Sequence, residues 1–231
     1  MFNHIGQYNF TQLETVNSNG TRFYICDDTL YPSVTSVTSS LPEKKKGLQE
    51  WRKRVGEKEA NKISTRAARQ GTNVHNMIEE FLNNDQPDFT NPVGVDLFRS
   101  IKPELIEKID NIHAQEVPLY SKHLGLGGRV DCIAEFNGRL SVIDFKTSRR
   151  PKKKEWIKDY FLQACAYSIM WEERTEIPID QLVIMISVMD GDPEIYVERR
   201  DNWDKELCSV IREYYEDNNL EIPKGWGLLR K

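Results

Sequence analysis

Over most of the first half of the chain, apolar positions recur with the spacing of helices. The segment 42–82 shows this spacing and is interrupted at Gly56 and Gly71. A loop rich in Asn, Asp and Pro covers 83–92, and helical spacing then continues to about His113. We therefore expect the N-terminal half to be mainly helical.

The start of the chain departs from this pattern. Residues 21–31 read TRFYICDDTLY and predict a β-hairpin with Asp27 and Asp28 at its turn. Pro32 and Ser33 then precede a short apolar run, which is typical of the start of a helix. A small hairpin is therefore expected ahead of the helical segments.

The second half of the chain has strand-like patterns with two helices among them. The helices are expected at about 154–173 and 203–216, and the order of elements is β-β-β-α-β-β-α. This order predicts an α/β fold with a central mixed β-sheet flanked by helices. We expect a single domain, with 1–113 as a mainly helical arm and 114–231 as the sheet-containing core. The five strands are predicted at EVPLYS, RVDCIAEF, RLSVIDFKT, QLVIMISVM and EIYVERR.

Two of these strands are joined by Asn137 and Gly138, which predict a two-residue type I′ turn. In such a hairpin the residue numbers of each cross-strand pair have the same sum, and the pair next to the turn is Phe136 with Arg139. Asp131 is therefore expected directly opposite Asp144. Lys146 follows two residues later and is expected on the same face of the sheet.

Two opposed carboxylates in a sheet repel each other, and one of them would take up a proton. A divalent cation removes this conflict, since carboxylate oxygens are the ligands that Mg²⁺ and Mn²⁺ prefer. The hairpin therefore predicts a metal site. In the alternative, strand slippage or a bulge separates Asp131 from Asp144, and Lys146 forms an ion pair with one of them.

Composition limits the classes of protein that fit. The chain has 231 residues, 39% of them hydrophobic, and a formal net charge of −4. An acidic total does not by itself indicate a nucleic-acid-binding protein, but basic residues cluster locally at 44–46 and 149–154. Such clusters can line a positive groove. Most charge runs are solvated surface instead.

Cysteine spacing and the N-terminal sequence argue against several further classes. The four cysteines, Cys26, Cys132, Cys165 and Cys208, form no C-x-x-C pair, so neither a zinc site nor a disulfide framework is expected. No apolar run approaches the length of a membrane span. The start has no pattern of a signal peptide or presequence. We therefore expect a cytoplasmic protein of a bacterium or a phage-infected host, with no membrane partner.

In the residues around this hairpin the sequence resembles the PD-(D/E)XK nuclease superfamily, and within it the RecB-like branch. Asp131 matches the first acid, and Asp144-Phe145-Lys146 matches the D/E-x-K element. The segments GTNVHNMIEEFL and QACAY resemble an upstream G-x-x-x-H-x-x-x-E helix and a downstream Q-x-x-x-Y helix. These motifs, with YPSVTSV and LQEWRKR, are similar to those of mitochondrial genome maintenance exonucleases and their phage relatives.

The resemblance implies a role for each matching residue. His75, Asp131, Asp144 and the backbone carbonyl of Phe145 would hold Mg²⁺ or Mn²⁺. Lys146 would act on the attacking water or the phosphate. Glu79 and Glu116 are expected to orient neighbours from outside the ligand set, although Glu116 could instead reach the metal through water or pair with Arg129. The cysteine spacing provides no iron–sulfur cluster, which favours the cluster-free exonucleases.

The downstream helix is expected to place Gln163 and Tyr167 near the phosphate or near Lys146. Read without the resemblance, an aromatic stripe on a helix is usually core, and His75 could be an ordinary core histidine. DNA contacts are expected at the start of the short helix and on basic segments, at Ser33, Thr35, Ser36, Arg66, Arg69, Thr147, Ser148, Arg149, Arg150 and Lys152.

The resemblance implies a metal-dependent deoxyribonuclease, most simply an exonuclease that acts on single-stranded DNA with a free end. Two alternatives stay open: a restriction-like or structure-specific endonuclease, and a catalytically silent DNA-binding subunit.

Overall fold

A computed structural model describes residues 1–6, 8, 10–18 and 20–221. Its centre is a five-stranded sheet in the order β4-β5-β6-β7-β8. All neighbouring strands are antiparallel except β6 and β7, which are parallel, so the sheet is mixed as expected. The strands are β4 (Ile109–Ser121), β5 (Leu126–Phe136), β6 (Arg139–Ser148), β7 (Gln181–Val188) and β8 (Glu194–Arg199).

Helices cover both faces of this sheet. One core packs the face formed by Ile133, Val142 and Ile184 against the fifth and sixth helices. The other core packs the opposite face, with Ile143 and Phe145, against the third and fourth helices. The helices are α1 (Val34–Thr38), α2 (Pro42–Val55), α3 (Glu57–Leu82), α4 (Val95–Lys108), α5 (Lys158–Thr175) and α6 (Asp204–Asp217). Among the described residues, no helix is both long and apolar enough to cross a bilayer.

A separate three-stranded sheet precedes the helices. The predicted hairpin is present as β2 (Thr21–Cys26) and β3 (Thr29–Pro32), and both turn aspartates have positive φ. The sequence did not reveal β1 (Thr15–Ser18), which pairs with β2. All four residues of β1 are exposed and only Val16 is apolar, so the segment has no alternation that could indicate a strand.

Two expectations for the N-terminal half were wrong. Helix α3 runs through Gly71 without a break, and only Gly56, with φ 84°, separates two helices. Helical structure also ends at Lys108 rather than near His113, because β4 begins at Ile109 and pairs with β5. A register shift between Asp110 and Ala114 disturbs the alternation there, which hides the strand in the sequence.

The register of the central hairpin is as predicted over most of its length. Phe136 pairs with Arg139, Ala134 with Ser141 and Cys132 with Ile143. Asn137 and Gly138 both have positive φ, as a type I′ turn requires. The turn therefore fixes which side chains of β5 and β6 share a face.

Candidate active site

A cavity of about 410 Å³ opens where the carboxyl end of β6 meets α3, α5 and the N-terminal sheet. It brings together residues that are far apart in the sequence and that carry both signs of charge. Its lining includes Arg22, Tyr24, Ser33, Thr35, Lys44, His75, Gly128, Arg129, Asp131, Lys146, Asp159, Tyr160, Gln163 and Tyr167.

Three possible metal ligands converge beside this cavity, and two of them, His75 and Asp131, line it. One ligand atom each from His75, Glu116 and Asp131 lies within 4.8 Å of the other two. The Nδ1 atom of His75 is 3.7 Å from Oδ2 of Asp131. An imidazole and two carboxylates form a donor set suited to a divalent cation. Glu116, which the sequence placed outside the ligand set, therefore lies within this group of atoms. The ligand roles of His75, Asp131, Asp144 and the Phe145 carbonyl all remain predictions.

The backbone at Glu116 is held in an unusual conformation. Its φ is 47°, in the left-handed region that non-glycine residues rarely adopt. The guanidinium of Arg129 donates to the backbone carbonyl of Glu116, which helps to hold this conformation. Strained backbone at a residue inside a strand is a feature that clusters at functional sites.

The Glu116 carboxyl is also electrostatically unusual. Burial, together with the nearby carboxylates of Asp131 and Glu79, raises the pKa of Glu116 to about 7. In the absence of a cation, this group therefore holds its proton up to near-neutral pH. The expected role of Glu79 as an orienting residue stays a prediction, since Glu79 lies outside the group of converging ligand atoms.

The side chain of Asp131 replaces backbone pairing at the end of the hairpin. Backbone pairing of β5 with β6 stops at Cys132–Ile143. Beyond that point, Oδ2 of Asp131 accepts a hydrogen bond of 2.8 Å from the backbone N–H of Phe145. The backbone ladder therefore does not extend to the predicted Asp131–Asp144 pair. Burial and, to a lesser extent, the charge of Asp131 raise the pKa of Asp144.

Asp144 and Lys146 form a buried pair beside this group. Only 1% of the Asp144 side chain is exposed, and Nζ of Lys146 is 2.5 Å from its Oδ2. Burial raises the pKa of Asp144, and Lys146 opposes that shift. Among the described residues, neither carboxylate oxygen of Asp144 receives a well-oriented hydrogen bond. Such buried oxygens retain capacity for a further ligand.

Helix α5 contributes two polar side chains to the cavity. Gln163 and Tyr167 are buried in the helix and both line the cavity, next to Asp131 and Lys146. Tyr167 lies against the backbone of Gly128, where an added Cβ would be 2.6 Å from the ring. Glycine at this position therefore allows the tyrosine to approach β5.

The expected DNA-contacting residues fall into three groups. Ser33 and Thr35 line the cavity, whereas Ser36 does not line it and donates its backbone N–H to the capping hydroxyl of Ser33 at 3.0 Å. Arg66 and Arg69 line a second, larger groove of about 1050 Å³ between α3, α4 and the end of β7. The remaining five do not line the cavity: Thr147 and Ser148 are the last two residues of β6, and Arg149, Arg150 and Lys152 follow that strand.

Several cavity residues were not identified from the sequence. Arg22 and Tyr24 come from β2, and Asp159 and Tyr160 come from the first turn of α5. The basic cluster 44–46 was predicted as a possible part of a positive groove, but nothing in the sequence distinguished Lys44 from its neighbours. Only tertiary packing brings these residues to the carboxyl end of β6.

Comparisons with known proteins show that this chain is similar in sequence to nucleases. A family model described as the PD-(D/E)XK nuclease superfamily matches residues 35–224. Mitochondrial genome maintenance exonuclease 1 of Mus musculus is 27% identical over 219 residues, covering 84% of this chain and 62% of that protein. The Xenopus tropicalis protein of the same name is 29% identical over 174 residues, covering 70% of this chain and 50% of that protein. The chain thus spans about half to three fifths of the length of these relatives.

A crystal structure of a candidate exonuclease from Eubacterium rectale is also similar. It aligns with a TM-score of 0.45 and 13% identity, and the alignment covers 68% of this chain and 70% of that one.

Proposed function

The chain belongs to the PD-(D/E)XK nuclease superfamily, and we propose that it is a metal-dependent deoxyribonuclease, most simply an exonuclease that acts on single-stranded DNA. The family match confirms the resemblance expected from the motifs. One structural observation carries the proposal: the ligand atoms of His75, Glu116 and Asp131 converge within 4.8 Å, beside the buried pair of Asp144 and Lys146.

The residues at this site fit a divalent cation. Three carboxylates supply hard oxygen donors and one imidazole supplies a nitrogen donor. Burial raises the pKa values of Glu116 and Asp144, and a bound cation would favour their charged forms. His75, Glu116 and Asp131 would hold the cation, and Asp144 is expected to contribute an oxygen. When bound, Mg²⁺ or Mn²⁺ would lower the pKa of a water and offset charge on the phosphate.

The protein's own groups would do the remaining work. Lys146 carries an ammonium group at the base of the cavity, where it can orient the attacking water or stabilise negative charge that develops on the phosphate. Gln163 and Tyr167 line the same cavity and are proposed to position the phosphate or Lys146. The hydrogen bond from the Phe145 N–H fixes the orientation of the Asp131 carboxylate.

DNA is the proposed substrate because the cavity is rich in cations. Arg22, Lys44, Arg129 and Lys146 all line it, and their charge would attract a phosphate backbone. The relatives reported above are named as exonucleases, and this supports cleavage from a free end. A role in DNA replication, recombination or degradation is part of the proposal.

Three single-stranded substrates test this proposal. Wild-type protein is incubated with 5′-labelled, 3′-labelled and circular DNA, each with Mg²⁺, Mn²⁺ or EDTA. The proposal predicts digestion of both linear substrates with a metal, no digestion in EDTA, and an intact circle. Cleavage of the circle would indicate an endonuclease. Binding to DNA without cleavage under any of these conditions would indicate a silent DNA-binding subunit.

A further inference from the structure

Helix α2 places a single lysine in the active-site cavity. None of the α2 residues is buried, although Leu41, immediately before the helix, belongs to a hydrophobic core. Lys44, in the first turn of the helix, lines the cavity and forms an ion pair with Asp159 of α5. Its neighbours Lys45 and Lys46 are exposed and are not part of the cavity lining.

Lys44 and Lys146 of β6 both lie near the ring of Tyr160. The Nζ atom of Lys44 lies 5.6 Å from the ring centroid of Tyr160, and Nζ of Lys146 lies 5.2 Å from the same centroid. The two ammonium groups therefore lie beside the same ring, and they would face the same short stretch of a bound strand.

In the Lys44–Asp159 ion pair, the lysine side chain is much more exposed to solvent than the aspartate side chain. The Lys44 side chain is 44% exposed, whereas that of Asp159 is 8% exposed. An ion pair with one solvated partner contributes little net stability, so exchange to another anion has a small cost. A phosphate entering the cavity would offer Lys44 such an anion.

The exposed position of the Lys44 side chain permits this exchange. Leu41, the residue immediately before α2, is buried in the core and holds this end of the helix in place. The exchange therefore requires only a change in the conformation of the lysine side chain, with no movement of the helix.

We propose that Lys44 is a DNA-phosphate ligand of this cavity, and that Asp159 holds it in place until a strand binds. The inference rests on the proposed function, because it assumes that a nucleic-acid phosphate enters the cavity. Lys44 then transfers from the Asp159 carboxylate to a phosphate oxygen, and Asp159 serves as a positioning residue that competes with DNA for the ammonium group.

The first test compares two lysines of the same helix. Binding of a fluorescein-labelled single-stranded oligonucleotide is measured by anisotropy in EDTA, so that no cleavage takes place. Lys44→Ala is expected to weaken binding about tenfold, as for the loss of one charge-assisted hydrogen bond. Lys45→Ala removes the same charge from the same helix and is expected to change binding less than about twofold. Equal effects of the two substitutions would overturn the proposal.

A second test separates contact with DNA from simple masking of Asp159. If Lys44 only neutralises Asp159, the double variant Lys44→Ala/Asp159→Asn will regain wild-type binding. If Lys44 contacts phosphate, the double variant stays about tenfold weaker, and Asp159→Asn alone binds DNA more tightly than wild type. Thermal melting confirms that each variant is folded before binding is compared.

Failure of this inference is distinguishable from failure of the proposed function. If wild-type protein neither binds nor cleaves DNA, the function itself is wrong. If wild-type protein binds and cleaves DNA while Lys44→Ala binds it equally well, only the role of Lys44 is wrong.

Discussion

The carboxylate of Asp131 accepts a hydrogen bond from the backbone amide of Phe145, with 2.8 Å between Oδ2 and nitrogen. This bond joins β5 to β6 at the point where their backbone pairing ends, at Cys132–Ile143. Asp131 thus has two functions in one side chain. It holds the ends of the two strands together, and it supplies a carboxylate beside His75 and Glu116.

The two functions of Asp131 can be separated by substitution. Asn retains an oxygen that accepts from the Phe145 N–H, whereas Ala leaves that N–H without its partner. We expect Asp131→Ala to be less stable than Asp131→Asn by about 1–3 kcal/mol, as for an unsatisfied buried donor. Urea unfolding in EDTA measures the difference. Both variants are expected to lose cleavage, and equal stability of the two would show that the hydrogen bond has no structural role.

Lys146 is expected to be needed for cleavage but not for binding. Lys146→Ala removes the ammonium group that faces the cavity, and we expect the rate of cleavage with Mg²⁺ to fall at least about 100-fold. Other cations of the cavity remain, so oligonucleotide binding in EDTA should weaken far less. Asp144→Ala should show the same separation. A wild-type rate of digestion by Lys146→Ala would contradict the mechanism.

The raised pKa of Glu116 predicts that the free energy of unfolding of the metal-free protein falls as pH rises. The unfolded chain ionises this group near pH 4.5, whereas the native protein does so near pH 7. The contribution of the protonated Glu116 carboxyl to the free energy of unfolding is therefore fully present below about pH 4.5. It is lost as pH rises through about 7.

Substitution of Glu116 tests this pH dependence directly. Glu116→Gln cannot ionise, so we expect it to stabilise the metal-free protein more at pH 8 than at pH 5. The difference should be about 1–2 kcal/mol after allowance for solvent screening. Melting curves in EDTA at both pH values give the comparison. A gain that is the same at both values would show that Glu116 is not the group with the raised pKa.

Gly128 is expected to be required for the position of Tyr167. An added Cβ at Gly128 would lie 2.6 Å from the tyrosine ring and 2.8 Å from its hydroxyl oxygen. Gly128→Ala should therefore displace Tyr167, destabilise the protein by about 1–3 kcal/mol and reduce cleavage. Gly47→Ala is a matched control, because nothing lies within 4 Å of a Cβ added there.

A double variant tests whether the loss at Gly128 acts through the tyrosine. In a Tyr167→Ala background the ring is absent, so Gly128→Ala should have little further effect on stability. Additive losses in the double variant would show that the substitution acts on the backbone of β5 instead.

Local signals in the sequence were sufficient to predict the centre of the fold. Asn137 and Gly138 determine the turn, and the turn determines the register through Cys132–Ile143, because backbone twist and pairing follow from local geometry. The same local signals fail where a strand is irregular. The start of β4 was missed since its register shifts between Asp110 and Ala114.

The cavity was only partly predictable, for a related reason. The predicted hairpin drew attention to Asp131, Asp144 and Lys146 because charged residues are unusual in apolar strands, whereas His75 was predicted only from the family resemblance. Lys44 and Asp159 are separated by 115 positions, and each looks like an ordinary surface residue in the sequence. Glu116 joins His75 and Asp131 through a left-handed backbone conformation that no local pattern indicates.

Titration calorimetry with Mn²⁺ tests the central claim most directly. The metal-free wild-type protein is expected to bind the ion, and His75→Ala and Asp131→Asn are expected to bind it at least about tenfold more weakly. Lys45→Ala, which changes a charge outside the site, should bind it as the wild type does. Absence of Mn²⁺ binding by the wild-type protein, or unchanged binding by both site variants, would contradict the assignment of a metal site to His75, Glu116 and Asp131.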